Sequence, residues 1–101
     1  MLQLRGLQHL VTLSRYLNFS RAAEELGITQ PTLSRSIQAM ERQLEMKLFE
    51  RDTGGVSLTP QGREMVERAI MLLADADDLE QHLRLSAKGE GGQIRFGMTP
   101  M

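Results

Sequence analysis

Thr32, Ser34, Arg35, Gln38 and Arg42 are spaced so that a helix would carry all five on one face, with Leu33, Ile37, Met40 and Leu44 on the other. The apolar four recur at intervals of four, three and four, the signature of a single buried stripe. The polar five are donor-bearing side chains matched to base edges and phosphates. Arg and Gln in the N-terminal half of an exposed helix can make the paired hydrogen bonds that identify guanine or adenine in a major groove. Arg35 on such a face is by default a solvated charge, and it is the surrounding blocks of sequence that make Gln30, Pro31, Thr32 and Arg35 the candidates for base contact. Ser20, Arg21, Thr29, Ser34, Gln38, Arg51 and Thr53 are the candidates for contact with a nucleic-acid backbone.

Those side chains need short helices held at a fixed angle. Ser20 stands where a helix N-cap is wanted, with Ala22, Ala23 and Leu26 following at helical spacing. Gly27 can take the left-handed conformation that ends that helix, and Ile28 is an apolar anchor inside the turn. Thr29 then caps the next helix, Gln30 begins it, and Pro31 fits a first turn in which its missing amide has no intrahelical partner. Ahead of this pair, Leu4, Leu7, Leu10, Val11, Ser14 and Leu17 predict a first helix over Leu4 to Leu17. Behind it, Leu48-Phe49 and Val56-Ser57-Leu58 flank Asp52-Thr53-Gly54-Gly55, which predicts two short strands joined by a Gly-rich turn. Arg51 and Thr53 lie where such a wing would meet the DNA backbone or the minor groove.

Phe19-Ser20-Arg21-Ala22-Ala23, Gln30-Pro31-Thr32-Leu33-Ser34-Arg35, Leu48-Phe49-Glu50-Arg51 and Leu58-Thr59-Pro60-Gln61-Gly62 resemble successive blocks of the LysR-type transcriptional regulators. Four blocks in order are far more specific than a helix-turn-helix pattern alone, and the resemblance runs from about Leu4 to the end of the chain. It implies a mainly α fold, a winged helix-turn-helix of three helices and a two-stranded wing followed by a long dimerisation linker helix. It also implies sequence-specific binding of double-stranded DNA by a bacterial, cytoplasmic regulator. One departure stands out. Where the family usually has Gly just after the recognition helix, this chain has Glu45, which must accept a positive φ or end the helix differently.

Composition narrows the alternatives. The 101 residues, with three Phe, one Tyr and no Trp, support one small aliphatic core. With no Cys, disulfides, thiol nucleophiles and Cys-based zinc sites are out of reach. No long apolar block opens the chain, so a signal peptide and a membrane span are not expected. An enzyme is disfavoured, because no Ser/His/Asp or paired-carboxylate set sits on elements that could converge. His9 reads as a packed or surface histidine, and no cofactor is expected. Residues 1–59 carry seven Lys or Arg against six Asp or Glu, and residues 60–88 four against six. That balance favours readout by a few base contacts over sequence-blind coating of DNA. It also leaves open a winged-helix module that binds protein without DNA specificity.

The organisation expected is a DNA-binding domain over 1–59, a linker helix over 60–88, and a hinge with the first strand of a further domain over 89–101. Thr59 and Pro60 start the long helix. Met65, Ala69, Leu72, Ala76, Leu79 and Leu83 form a heptad seam for a partner helix, while Val66, Ile70 and Leu73 form a second, shorter stripe expected to face the chain's own winged domain. A homodimer is therefore the expected assembly, with a tetramer open to the full-length protein. Ser86 to Gly92 reads as a flexible hinge, and Gln93 to Met98 alternates like a strand that would bury nothing alone. By resemblance that strand opens a C-terminal effector-binding domain that takes a small molecule, so the chain reads as an N-terminal fragment.

Overall fold

Leu10, Leu13, Leu33 and Leu48 are the largest fully buried side chains, and they come from three separate stretches of sequence. In the computed structural model, which describes residues 2–89 and side chains through Ser86, these leucines lie where helices α1 (Leu4–Tyr16) and α3 (Gln30–Leu44) meet the segment entering the wing. Helix α2 (Phe19–Leu26) closes the core from one side. The antiparallel hairpin β1 (Phe49–Asp52) and β2 (Gly55–Leu58) extends from it, and α4 (Pro60–Gly89) leaves it as a 30-residue helix. Helix α1 is the central element, packed against α2, α3 and α4. No helix among the described residues is long and apolar enough to cross a membrane.

Each helix end has a local cause. Leu17 is not the last residue of α1 but its left-handed cap, φ 48°, with its N–H donating to the Leu13 carbonyl at 2.7 Å. Leu4 and Leu17 are exposed, so the buried stripe of α1 is Leu7, Leu10, Val11 and Leu13. The N-cap of α2 is Asn18, not Ser20: Asn18 Oδ1 accepts the Arg21 N–H at 2.9 Å. Phe19 is buried as the first residue of α2, which puts the cap two residues ahead of Ser20. Gly27 ends α2 at φ 71° and Thr29 caps α3, both as its sequence predicts.

Glu45 accepts the positive φ. It sits at 55°, its N–H donating to the Arg42 carbonyl and the Met46 N–H to the Glu41 carbonyl, a Schellman closure on a non-glycine residue. The left-handed conformation costs an L-residue roughly 1–2 kcal/mol, more than the roughly 0.4–1 kcal/mol that glycine's extra unfolded-state freedom would remove. Glu45→Gly is therefore expected to stabilise the domain by about 0.5–1 kcal/mol, read as a higher urea midpoint at unchanged slope. A lowered midpoint would mean that the Glu45 side chain contributes more than its backbone costs.

His9 is buried on α1, with Nδ1 2.7 Å from Ser36 Oγ on α3. Burial, and secondarily the positive charge of Arg5, hold its pKa below the ordinary 6.5. The unfolded chain thus takes up a proton that the folded chain refuses. Stability from this group is complete above the unfolded value and declines as pH falls below it, levelling off under the lowered folded value. Denaturation series between about pH 5 and pH 7 should show this slope in the wild type and a flatter one in His9→Gln. Equal slopes would remove His9 as the source.

The wing's turn is tighter than its sequence suggests. Asp52 pairs with Gly55, so the loop is the dipeptide Thr53-Gly54 and not four residues. Asp52 Oδ1 accepts the Gly54 N–H at 2.8 Å, and Gly55 takes φ 124°, which a side chain would oppose. Helix α4 runs through Gly89, one residue past the expected end of the linker helix at 88, so the hinge-like stretch from Ser86 is helical as far as Gly89. The remaining hinge residues and the predicted strand Gln93 to Met98 lie outside the described residues.

Candidate nucleic-acid interface

The N-terminal tip of α3 is built from its cap outward. Thr29 is extended, φ −81° and ψ 156°, and its Oγ1 accepts the Thr32 N–H at 3.3 Å while lying 2.7 Å from Thr32 Oγ1. Pro31 occupies the first turn, where no amide is needed. Gln30, Pro31, Thr32, Arg35, Gln38 and Arg42 are all exposed, and Ser34 is half-buried. Behind them Leu33, Ile37 and Met40 are buried and Leu44 packs against the core, which fixes the rotation of α3 about its axis. The Ser20 hydroxyl donates to Gln30 Oε1 at 3.0 Å, tying the start of α2 to the start of α3.

Arg51 joins this surface from the wing. Its guanidinium carbon lies 3.8 Å from the centroid of the Phe19 ring, and Nη2 is 3.5 Å from Ser34 Oγ. The ring face attracts the cation and holds it beside α3 while leaving donors exposed. Thr53 stands apart at the wing tip, exposed. Among the described residues the single ion pair is Arg84 with Glu80, 2.9 Å apart on the far half of α4. The arginines of the winged domain are thus left without a carboxylate partner, and a nearly neutral domain can still present local positive charge.

Sequence reasoning missed Glu41. Its Oε2 accepts the backbone N–H groups of Leu48 at 2.8 Å and of Phe49 at 3.2 Å, fastening the first residues of the wing to α3. The available signal was its place one residue after Met40 and four after Ile37. A carboxylate beside a buried stripe needs donors, and charged acceptors make the stronger bonds. Thr59 performs the matching task at the other end of the hairpin. It is buried, its Oγ1 donates to the Lys47 carbonyl at 2.7 Å, and the same oxygen accepts the Gly62 N–H at 2.9 Å.

The heptad seam of α4 is divided. Ala69, only 1% exposed, packs with Val66, Met65 and Leu73 against the chain's own core, and Ala76 is half-buried. Leu72, Leu79 and Leu83 are 54%, 60% and 57% exposed. The stripe facing the domain is thus Val66, Ala69 and Leu73. Ile70, expected on it, is 49% exposed. Leu72 also borders an apolar groove of about 670 Å³ that Leu2, Leu7, Leu44, Met46 and Met65 help to line.

The likeness to known proteins follows this geometry. The family model described as bacterial regulatory helix-turn-helix protein, lysR family, matches residues 4–63. The HTH-type transcriptional regulator EstR of Acinetobacter baylyi is 45% identical over 97 residues, 96% of this chain and 32% of EstR. CfxR of Cupriavidus necator, another HTH-type transcriptional regulator, is 39% identical over 97 residues, 96% of this chain and 31% of that protein. The chain therefore spans about a third of the length of these relatives. Among solved structures, BenM DBD in complex with catB site 1 DNA superposes with a TM-score of 0.84 at 34% identity, covering 92% of this chain and 100% of that one. With the matched blocks running from α1 into the first turn of α4, and with this winged architecture, the chain belongs to the LysR family of bacterial regulatory helix-turn-helix proteins.

Proposed function

We propose that this chain is the sequence-specific double-stranded DNA-binding portion of a LysR-type transcriptional regulator. Helix α3 enters the major groove, and the wing meets the flanking backbone or minor groove. The observation that carries the reading is the capped, exposed tip of α3, whose donors stand beside arginines left unpaired by carboxylates. The likeness to BenM DBD, a protein solved on DNA, supports it. Gln30, Pro31, Thr32 and Arg35 read bases. Arg21, Thr29, Ser34, Gln38, Arg51 and Thr53 hold the backbone. Residues 1–59 form the reading domain and α4 the linker through which two copies meet, using Leu72, Leu79 and Leu83, with Met65 and Ala76 at the margin of the contact. The dimer binds an inverted repeat in the cytoplasm, and no reaction is catalysed. A small-molecule effector is assigned to a C-terminal domain of the full-length regulator, outside residues 1–89.

Binding to duplex selected from random sequence, followed as salt rises, tests this. Affinity should fall steeply with salt while preference for the selected site persists; a module that binds only protein would show neither. Arg35→Ala is expected to lose roughly 1–3 kcal/mol on the selected site and to relax base choice at one position of each half-site. Arg51→Ala should instead weaken all sequences alike and make the salt slope shallower by about one unit. If Arg35→Ala kept the wild-type ratio between selected and scrambled DNA, α3 would not be the reader.

A further inference from the structure

Hydrogen bonding within the tip of α3 gives Gln30 a chemical polarity. Gln30 is the first residue of α3, and its side chain reaches back to the second residue of α2, where the Ser20 hydroxyl donates to Oε1 at 3.0 Å. A carboxamide has one acceptor oxygen and two N–H donors. In this arrangement the serine hydroxyl donates, although it could equally accept, so Oε1 lies on the α2 side and Nε2 is turned away from it with its two donors towards a ligand. Ser20 is itself well placed to do this. Asn18 caps the turn that holds it, and the burial of Phe19 fixes that turn on the core. The hydroxyls of Thr29 and Thr32, in the same turn, are engaged with each other.

We propose that Ser20 is a positioning residue that makes Gln30 a reader of guanine in preference to adenine, in place of the backbone contact its location suggests. The proposal rests on the reading of α3 as a major-groove helix. Guanine presents N7 and O6, two adjacent acceptors that suit an amide NH₂. Adenine presents the N7 acceptor beside the N6 donor, and its pairing with Gln uses both ends of the carboxamide. Ser20 draws the oxygen end away from that pairing. Without the hydroxyl, the amide can rotate and offer Oε1 to adenine.

The wild-type chain and its Ser20→Ala, Ser20→Thr and Gln30→Ala variants are each used to select duplexes from a random-sequence library. Affinities are then measured across single-base substitutions of the wild-type site. Gln30→Ala marks the base pair that Gln30 faces. There the wild type is expected to favour guanine over adenine by roughly tenfold, Ser20→Ala to reduce this to about threefold or to invert it, and Ser20→Thr to restore it. Both Ser20 variants should keep wild-type thermal stability, because the side chain is exposed. A uniform loss of affinity in Ser20→Ala with the base ratio intact makes Ser20 a backbone contact and overturns the proposal. A wild-type preference for adenine at that pair also overturns it. If the wild type selects no sequence, the DNA-reading function fails as well. If it selects one and Gln30→Ala alters no position, the assignment to Gln30 alone falls.

Discussion

Gly62→Ala is expected to destabilise the winged domain by roughly 3 kcal/mol or more, because the first turn of α4 lies directly on the backbone that enters the wing. A Cβ at this position would collide with the Leu48 carbonyl oxygen and lie 3.0 Å from Leu58 Cδ2. That carbonyl already accepts the Thr59 N–H at 3.0 Å, and Gly62 N–H donates to Thr59 Oγ1 at 2.9 Å. A flexible side chain could move aside, but these are main-chain atoms tied into the cap. Helix α4 must tilt away, loosening the Thr59 hydrogen bonds and the burial of Val66 and Ala69 together. Against a total of roughly 5–15 kcal/mol for a domain, this is a large share, and the melting temperature should fall by more than about 10 °C. A change below about 1 kcal/mol in urea denaturation would mean that the helix slides along the wing at little cost.

Leu72→Lys with Leu79→Lys is expected to reduce affinity for a full inverted-repeat site by roughly 10²-fold or more while leaving the winged domain folded. Both leucines are more than half exposed in the single chain, so the substitution disturbs little of the home core. Between two copies of α4 it would set like charges into an apolar contact. The resulting monomer holds one half-site and loses the effective concentration that ties the second unit to the same DNA. Sedimentation of the double variant, paired with binding to full and half sites, checks both parts. An unchanged dimer mass would place the contact elsewhere, with the groove beside Leu72 or the exposed Ile70 as the next surfaces to alter.

The parts of this fold legible in the sequence are those that backbone chemistry decides within a few residues. Gly27, Thr29, Pro31, Thr59 and Pro60 each settle a helix end through a conformation, a capping hydroxyl or a missing amide, and the structure has them in those places. The cap expected at Ser20 lies at Asn18 because Phe19 is buried as the first residue of α2, and that burial depends on the rest of the core. The two stripes of α4 differ by one residue in phase. Periodicity alone could not say which one faced the domain, because the contact of Gly62 with Leu48 sets that rotation. For Glu41 the pattern showed a carboxylate beside a buried stripe but not its partners, which are amides seven and eight residues away across a turn. For the interface, local pattern supplied the exposed face of α3. The Ser20–Gln30 and Arg51–Phe19 pairings needed three elements in place.

Helix α4 runs from Pro60 to Gly89 as one unbroken element, so its two halves share a single phase. The near half is locked to the reading head through Gly62, Val66 and Ala69, and the far half displays Leu79 and Leu83. Each residue advances a helix by about 100° and 1.5 Å. One alanine inserted between Ala74 and Asp75 would swing the distal leucines a quarter-turn around the axis while barely lengthening the arm. Seven would lengthen it by about 10 Å yet return them to within about 20° of their starting direction. The shorter insertion should therefore be the more damaging to paired operator binding, making this helix a rotary coupling whose angle matters more than its reach.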